Sequence, residues 1–109
     1  MIVSLTGEHD LSTAPEVRRR VEEALSAGGG VVFNLTAAEF IDSVILGIVL
    51  EARRRADEAG IGFATALEGG ESSVRRVLEV TGLDINLPVR GSEREAIDLA
   101  AAGPGEPVR

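Results

Sequence analysis

The chain alternates between two periods. Four short runs rich in β-branched residues are each followed by a longer segment whose apolar residues recur at helical spacing, and glycines mark most of the joins. The runs are "IVSLT" (2–6), "VVFNL" (31–35), "IGFATAL" (61–67) and "INLPV" (85–89). The segments that follow them include "LSTAPEVRRRVEEALSAGGG", "SVILGIVLEARRRADEAG", "SSVRRVLEVTG" and "SEREAIDLAAA". A strand reached through a helical crossover of about a dozen residues or more lies parallel to its predecessor. Such crossovers are right-handed. The expected fold is therefore α/β: a single domain with a mostly parallel four-stranded sheet and about four helices, in two or three layers. Pro88 places the last run at a sheet edge.

The joins carry helix signals. Ser12 or Thr13 can cap the first helix, Thr13 and Glu16 have capping-box spacing, and Pro15 fits a first turn. Val17, Val21, Ala24 and Leu25 form its apolar stripe, and Gly28 to Gly30 end it. The second helix is expected to run to Ala59 and stop at Gly60. Ser72 or Ser73 caps the third, which Gly82 ends. Ser92 and Glu95 have capping-box spacing on the last. "GEHD" after the first strand reads as a break, and residues 36–42 as a loop. With 109 residues the chain fits one domain, here 1–99, with residues 100–109 as a flexible tail ending in "GPGEPVR". Only three residues are aromatic, all Phe. The core must come from Val, Leu, Ile and Ala.

Several function classes are disfavoured. The net charge is -7, and every basic residue is Arg. Such a domain should repel a phosphate backbone, so no nucleic acid is expected as a partner. Without Cys there are no disulfides, thiolate zinc sites or Cys nucleophiles. One His and scattered carboxylates make a poor metal set. Phosphate loops place a Lys after their glycines. The chain has no Lys, and its glycine run ends a helix instead of opening one. No cofactor is expected. "MIVSLTGEHD" has neither the basic nor the apolar region of a secretory signal, and no apolar run approaches the ~18 residues of a membrane span. The expected location is the cytoplasm, with no membrane contact.

Sites in parallel α/β sheets gather at the carboxyl edge of the strands. That edge receives Gly7 to Asp10, Thr36 to Asp42, and the start of the helix near Ser43. It can bring Ser43, Asp42, His9 and Asp10 together. A serine hydrolase is a weak reading, because Ile41-Asp42 precedes Ser43 and no G-x-S-x-G elbow surrounds it. The plainer reading makes Ser43 a helix N-cap. The sharper one makes it a presented residue: a phosphate there would be tolerated by its own helix yet add roughly -1.5 to -2 charge units to the surface.

The helix after Asp42 divides by ~100° per residue. Ile45, Leu46, Val49, Ala52 and Ala56 face the core. Glu51, Arg54 and Glu58 face outward. Val44 and Gly47 also face outward although neither is polar, and Ile48 and Leu50 lie on the flanks. Apolar residues grouped beside Ser43 suggest a partner surface. Gly47 costs about 1 kcal/mol against Ala in a helix, and would permit close approach of another chain.

"GEHDLSTAPEVRRRVEEAL", "VVFNLTAAEFIDSVILGIVLEARRRA" and "SSVRRVLEVTGLD" together resemble the STAS domain of bacterial anti-sigma factor antagonists, over residues 1 to about 99. The most specific parts are Gly7-Glu8-His9-Asp10 and Phe40-Ile41-Asp42-Ser43 with Leu46-Gly47. The resemblance implies a non-enzymatic regulator of transcription. It binds an anti-sigma factor, often a serine kinase, and so frees a sigma factor. It also implies that Ser43 is the phosphoacceptor, reversed by a phosphatase, with Asp42, Asp10 and Thr36 around it. His9, Val44, Gly47, Ile48 and Glu51 would then meet the partner. The chain departs from the family in three places. Val44-Ile45 replace a small pair, His9 replaces a Leu, and a further short N-terminal strand common in the family is missing, which would leave a sheet edge open. An unphosphorylated scaffold or a transporter-associated STAS subunit is the alternative.

Overall fold

The computed structural model of the protein describes residues 1–103. In order it contains β1 (Ile2–Ser4), β2 (Gly7–His9), α1 (Ala14–Ala27), β3 (Val31–Asn34), β4 (Ala38–Ile41), α2 (Ser43–Ala59), β5 (Phe63–Ala66), α3 (Ser73–Thr81), α4 (Leu83–Asn86), β6 (Val89–Arg90) and α5 (Glu93–Ala101). The main sheet has the order β1-β3-β5-β6, and every pairing is parallel. The four-stranded parallel α/β domain expected from the alternation is present.

Alternation along the strands sorts the core into two layers. Val31, Phe33, Phe63 and Leu67 belong to a large cluster with α1, α2 and α3, where the Phe33 and Phe63 rings lie 6.0 Å apart. Val32, Ala64 and Ala66 point to the other face, against Ala96 and Ala100 of α5. That second layer is thin because its residues are small. A Cβ on Gly62 would lie 1.9 Å from the Ala100 carbonyl oxygen, and one on Gly30 would lie 2.8 Å from the Ala100 Cβ. Gly30 therefore seats α5, whereas Gly28, at φ 79°, ends α1 as expected.

Four local expectations need correction. "GEHD" is not a break: Gly7–His9 form β2, which pairs in parallel with β4, inside the segment read as a loop. Gly7 makes this possible with φ 76°, and the register slips between Gly7 and Glu8. Thr13 precedes α1 but makes no side-chain cap bond, and Glu16 pairs with Arg19 instead of completing a capping box. The run at 85–89 is mostly not strand. Residues 83–86 form a helical turn, and only Val89–Arg90 pair, at the sheet edge beside β5. Finally, Asp42, not Ser43, caps α2.

Ser72 and Ser92 do cap α3 and α5, accepting from the N–H groups of Arg75 and Glu95. The last helix continues to Ala101. Residues 104–109, most of the segment expected as a tail, lie outside the described residues. Among those described, no helix is long and apolar enough to cross a membrane.

Candidate functional site

The site is built where β2 and β4 extend past the carboxyl edge of the main sheet. Glu8 lies opposite Phe40 and His9 opposite Ile41. The Asp42 N–H donates to the His9 carbonyl at 3.2 Å. Continuing the parallel ladder by one residue sets Asp10 beside Asp42. This short sheet brings the two acidic motifs together at the start of α2. Its strands are only three and four residues long, and β2 contains no β-branched residue. Neither gives a strand signal of its own.

Asp42 sits in extended backbone, and its Oδ1 accepts from the Ile45 N–H at 3.0 Å. A short side chain on the residue preceding the first helical turn satisfies an orphan donor there. Because Asp42 performs this role, the Ser43 hydroxyl is not needed for it. Ser43 is the first residue of α2, is exposed, and has no side-chain hydrogen bond among the described residues. The N–H groups of Ser43 and Val44 have no intrahelical partner. The positive end of the helix dipole lies at the same point.

Asp10 is exposed and closely held. Its Oδ1 accepts from the Ser12 N–H at 2.9 Å and from the Ser12 hydroxyl at 2.6 Å. These two bonds to the charged form, the Ser12 side chain first, hold its carboxyl below the usual aspartate range. His9 is half-buried, with Nε2 3.0 Å from the Thr6 carbonyl and Nδ1 3.1 Å from the Thr13 hydroxyl. Both ring nitrogens are engaged away from Ser43, so a nucleophile–base pair is not formed. Thr36 lies on the same edge, but its hydroxyl accepts from the Glu68 N–H at 3.0 Å. It joins the loops after β3 and β5 and makes no bond to Ser43.

The outward face of α2 divides in two. Gly47 is exposed, and a Cβ there would meet nothing within 4 Å. Val44 is half-buried and packs against the large core cluster. Ile48, expected on the flank of the presented surface, is buried at 7% exposure. The wheel put it beside solvent because it counted α2 alone and not the layers packed around it. Glu51 is exposed and bound to Arg54, whose guanidinium lowers the Glu51 carboxyl below its ordinary range. The exposure of two apolar residues at this edge gave no sequence signal. Leu11 follows Asp10, and Phe40 lies beside Glu8; they are 69% and 45% exposed.

A family model for the STAS domain matches residues 1–96. No curated protein matches the chain. Among solved structures, an anti-sigma factor antagonist from Mycobacterium paratuberculosis is 28% identical with a TM-score of 0.76, covering 91% of this chain and 83% of that one. A candidate anti-sigma factor antagonist from Thermotoga maritima is 26% identical with a TM-score of 0.72, covering 91% and 86%. The Bacillus cell fate determinant SpoIIAA in its phosphorylated form is 26% identical with a TM-score of 0.61, covering 89% and 86%.

Proposed function

The chain belongs to the STAS domain family, and on that footing we propose that it is a cytoplasmic anti-sigma factor antagonist switched by phosphorylation of Ser43. In this reading the unmodified edge binds an anti-sigma factor that is also a serine kinase. Binding releases the sigma factor. The kinase then modifies Ser43, and a phosphatase resets it. The protein itself catalyses nothing.

The division of labour between Asp42 and Ser43 carries the proposal. The cap bond belongs to Asp42, so the Ser43 oxygen is free to accept a phosphoryl group without cost to the helix. A phosphate there meets the open N–H groups and the dipole of α2. It also adds roughly -1.5 to -2 charge units to an edge that already carries Glu8, Asp10, Glu39 and Asp42. The fold tolerates the change, whereas a partner seated over Leu11, Phe40, Val44 and Gly47 does not. Similarity to anti-sigma factor antagonists supports the same role, and one neighbour is a phosphorylated protein.

The test is to incubate the protein with ATP and anti-sigma kinases of its own genome, then locate phosphate by mass spectrometry. Modification at Ser43, abolished in Ser43→Ala, supports the proposal. Stable binding without modification favours an unphosphorylated STAS scaffold instead. Ester hydrolysis that depends on Ser43 contradicts both.

A further inference from the structure

Thr13 stands where an N-cap should stand, yet its side chain does not cap α1. Its hydroxyl turns back to the preceding loop. Oγ1 accepts from the Asp10 N–H at 3.1 Å and donates to the Asp10 carbonyl at 3.1 Å. The His9 Nδ1 lies at the same distance of 3.1 Å. The Thr13 N–H also donates to the Asp10 carbonyl, at 3.0 Å. One side chain thus closes both backbone groups of Asp10 into a turn. A cap bond given up is worth about 1 kcal/mol, so the hydroxyl has found equivalent partners elsewhere.

The geometry assigns Thr13 as a positioning residue: it clamps the Asp10 turn so that the Asp10 carboxylate is held at the Ser43 edge. This role rests on the reading of that edge as the docking surface. The carboxylate reaches Ser12 through both the Ser12 N–H and hydroxyl, and those bonds require residues 10–13 to keep their present turn. His9 braces the clamp from the other side. Its Nε2 faces the Thr6 carbonyl and therefore carries a proton. In the neutral ring Nδ1 is then an acceptor, and the single Thr13 hydrogen is shared between it and the Asp10 carbonyl. A valine at position 13 keeps the shape and removes every one of these hydroxyl bonds. A serine restores them.

Two readouts separate this inference from the reading beneath it. The first needs no partner: titrate the Asp10 carboxyl by NMR in the intact chain, Thr13→Val and Thr13→Ser. In Thr13→Val the Asp10 titration should move up toward the ordinary aspartate range and the Ser12 amide should exchange faster. The first-turn amides of α1 should keep their protection, and Thr13→Ser should return Asp10 to its original value. An Asp10 titration unchanged in Thr13→Val overturns the assignment. So does fraying of α1 with Asp10 unaffected, which marks a simple helix cap. The second readout is binding to singly expressed anti-sigma kinases of the same genome, expected to weaken on the order of tenfold in Thr13→Val. A shifted Asp10 titration with unchanged binding upholds the positioning role and counts against the docking surface.

Discussion

Asp42 and Ser43 are neighbours with separable duties, and mutation should separate them. Asp42→Ala removes the bond to the Ile45 N–H and should cost about 1 kcal/mol, within the ~0.5–2 kcal/mol of lost caps. Ser43→Ala should change stability by less than about 0.5 kcal/mol. Urea denaturation measures both, and a larger loss at Ser43 would reassign the cap. Ile48 behaves differently from its neighbours. It is buried, so Ile48→Asp should destabilise by roughly 3 kcal/mol or more through an unpaired buried carboxylate. Any loss of binding in that variant then reports unfolding. Gly47 is the better probe of the surface. Nothing crowds a Cβ there, so Gly47→Ala should stabilise α2 by about 1 kcal/mol, while Gly47→Leu should block docking without unfolding the domain.

Acid should act on the same edge. The folded Asp10 carboxyl lies below its ordinary value, so its contribution to stability is present above the unfolded value of about 3.9. That contribution is lost as pH falls further, through the folded value. An NMR titration of the Asp10 carboxyl in the folded chain should show a midpoint below the ordinary aspartate value. A midpoint at or above the ordinary aspartate value would contradict the Asp10 hydrogen bonds to Ser12.

At the scale of elements, α5 depends on an absence of side chains. Gly62 faces the Ala100 carbonyl too closely for a methyl group. Gly62→Ala should therefore force α5 away from β3 and β5, costing ~1–3 kcal/mol. Gly29→Ala, where a Cβ meets nothing within 4 Å, should be neutral within about 0.5 kcal/mol. Thermal denaturation of the two variants checks the contrast. The pairing of α1 with α2 through Glu22 and Arg55 is exposed and should contribute little to stability.

The elements that were legible in the sequence are those with a long period and a chemical stop. The stripe Ile45, Val49, Ala52, Ala56 predicted the buried side of α2, and Gly60 its end, because α2 spans several turns and buries one face. β2 and β4 were not legible. Their three and four residues are held by each other and by Gly7, at φ 76°, instead of by an alternating apolar pattern. The same gap hid the way Thr13 is used. Its spacing to Glu16 matched a capping box, but the turn formed by β2 brought Asp10 within reach first. At the candidate site, the serine that opens α2 and the Asp before it were legible as a helix start, but the cap falls on Asp42. The wheel of one helix leaves out the layers around it, and so it missed that Ile48 is buried and that Val44 packs against the core.

For the whole molecule, the main sheet and its two helical layers serve as a rigid mount. They place one free serine hydroxyl at the end of a capped helix, beside an acidic turn and a small apolar surface. Among the described residues, the Thr65 hydroxyl is fully buried and has no hydrogen-bond partner. Thr65→Val should stabilise the domain by about 1 kcal/mol, since an unsatisfied buried hydroxyl costs ~1–3 kcal/mol. Partner binding should not change, because Thr65 lies in β5, inside the sheet. A gain in stability with unaltered binding would show that the mount and the switch are independent.

If Ser43 is the switch, phosphate on it leaves the fold intact and removes the partner. The direct measurement compares purified Ser43-phosphorylated and unmodified protein in two assays: thermal unfolding, and affinity for the anti-sigma kinase that performed the modification. The predicted result is a Tm changed by no more than about 4 °C with binding weakened on the order of a hundredfold or more. Equal affinity of the two forms would contradict a switch at Ser43, as would a phosphorylated protein that has lost its cooperative unfolding transition.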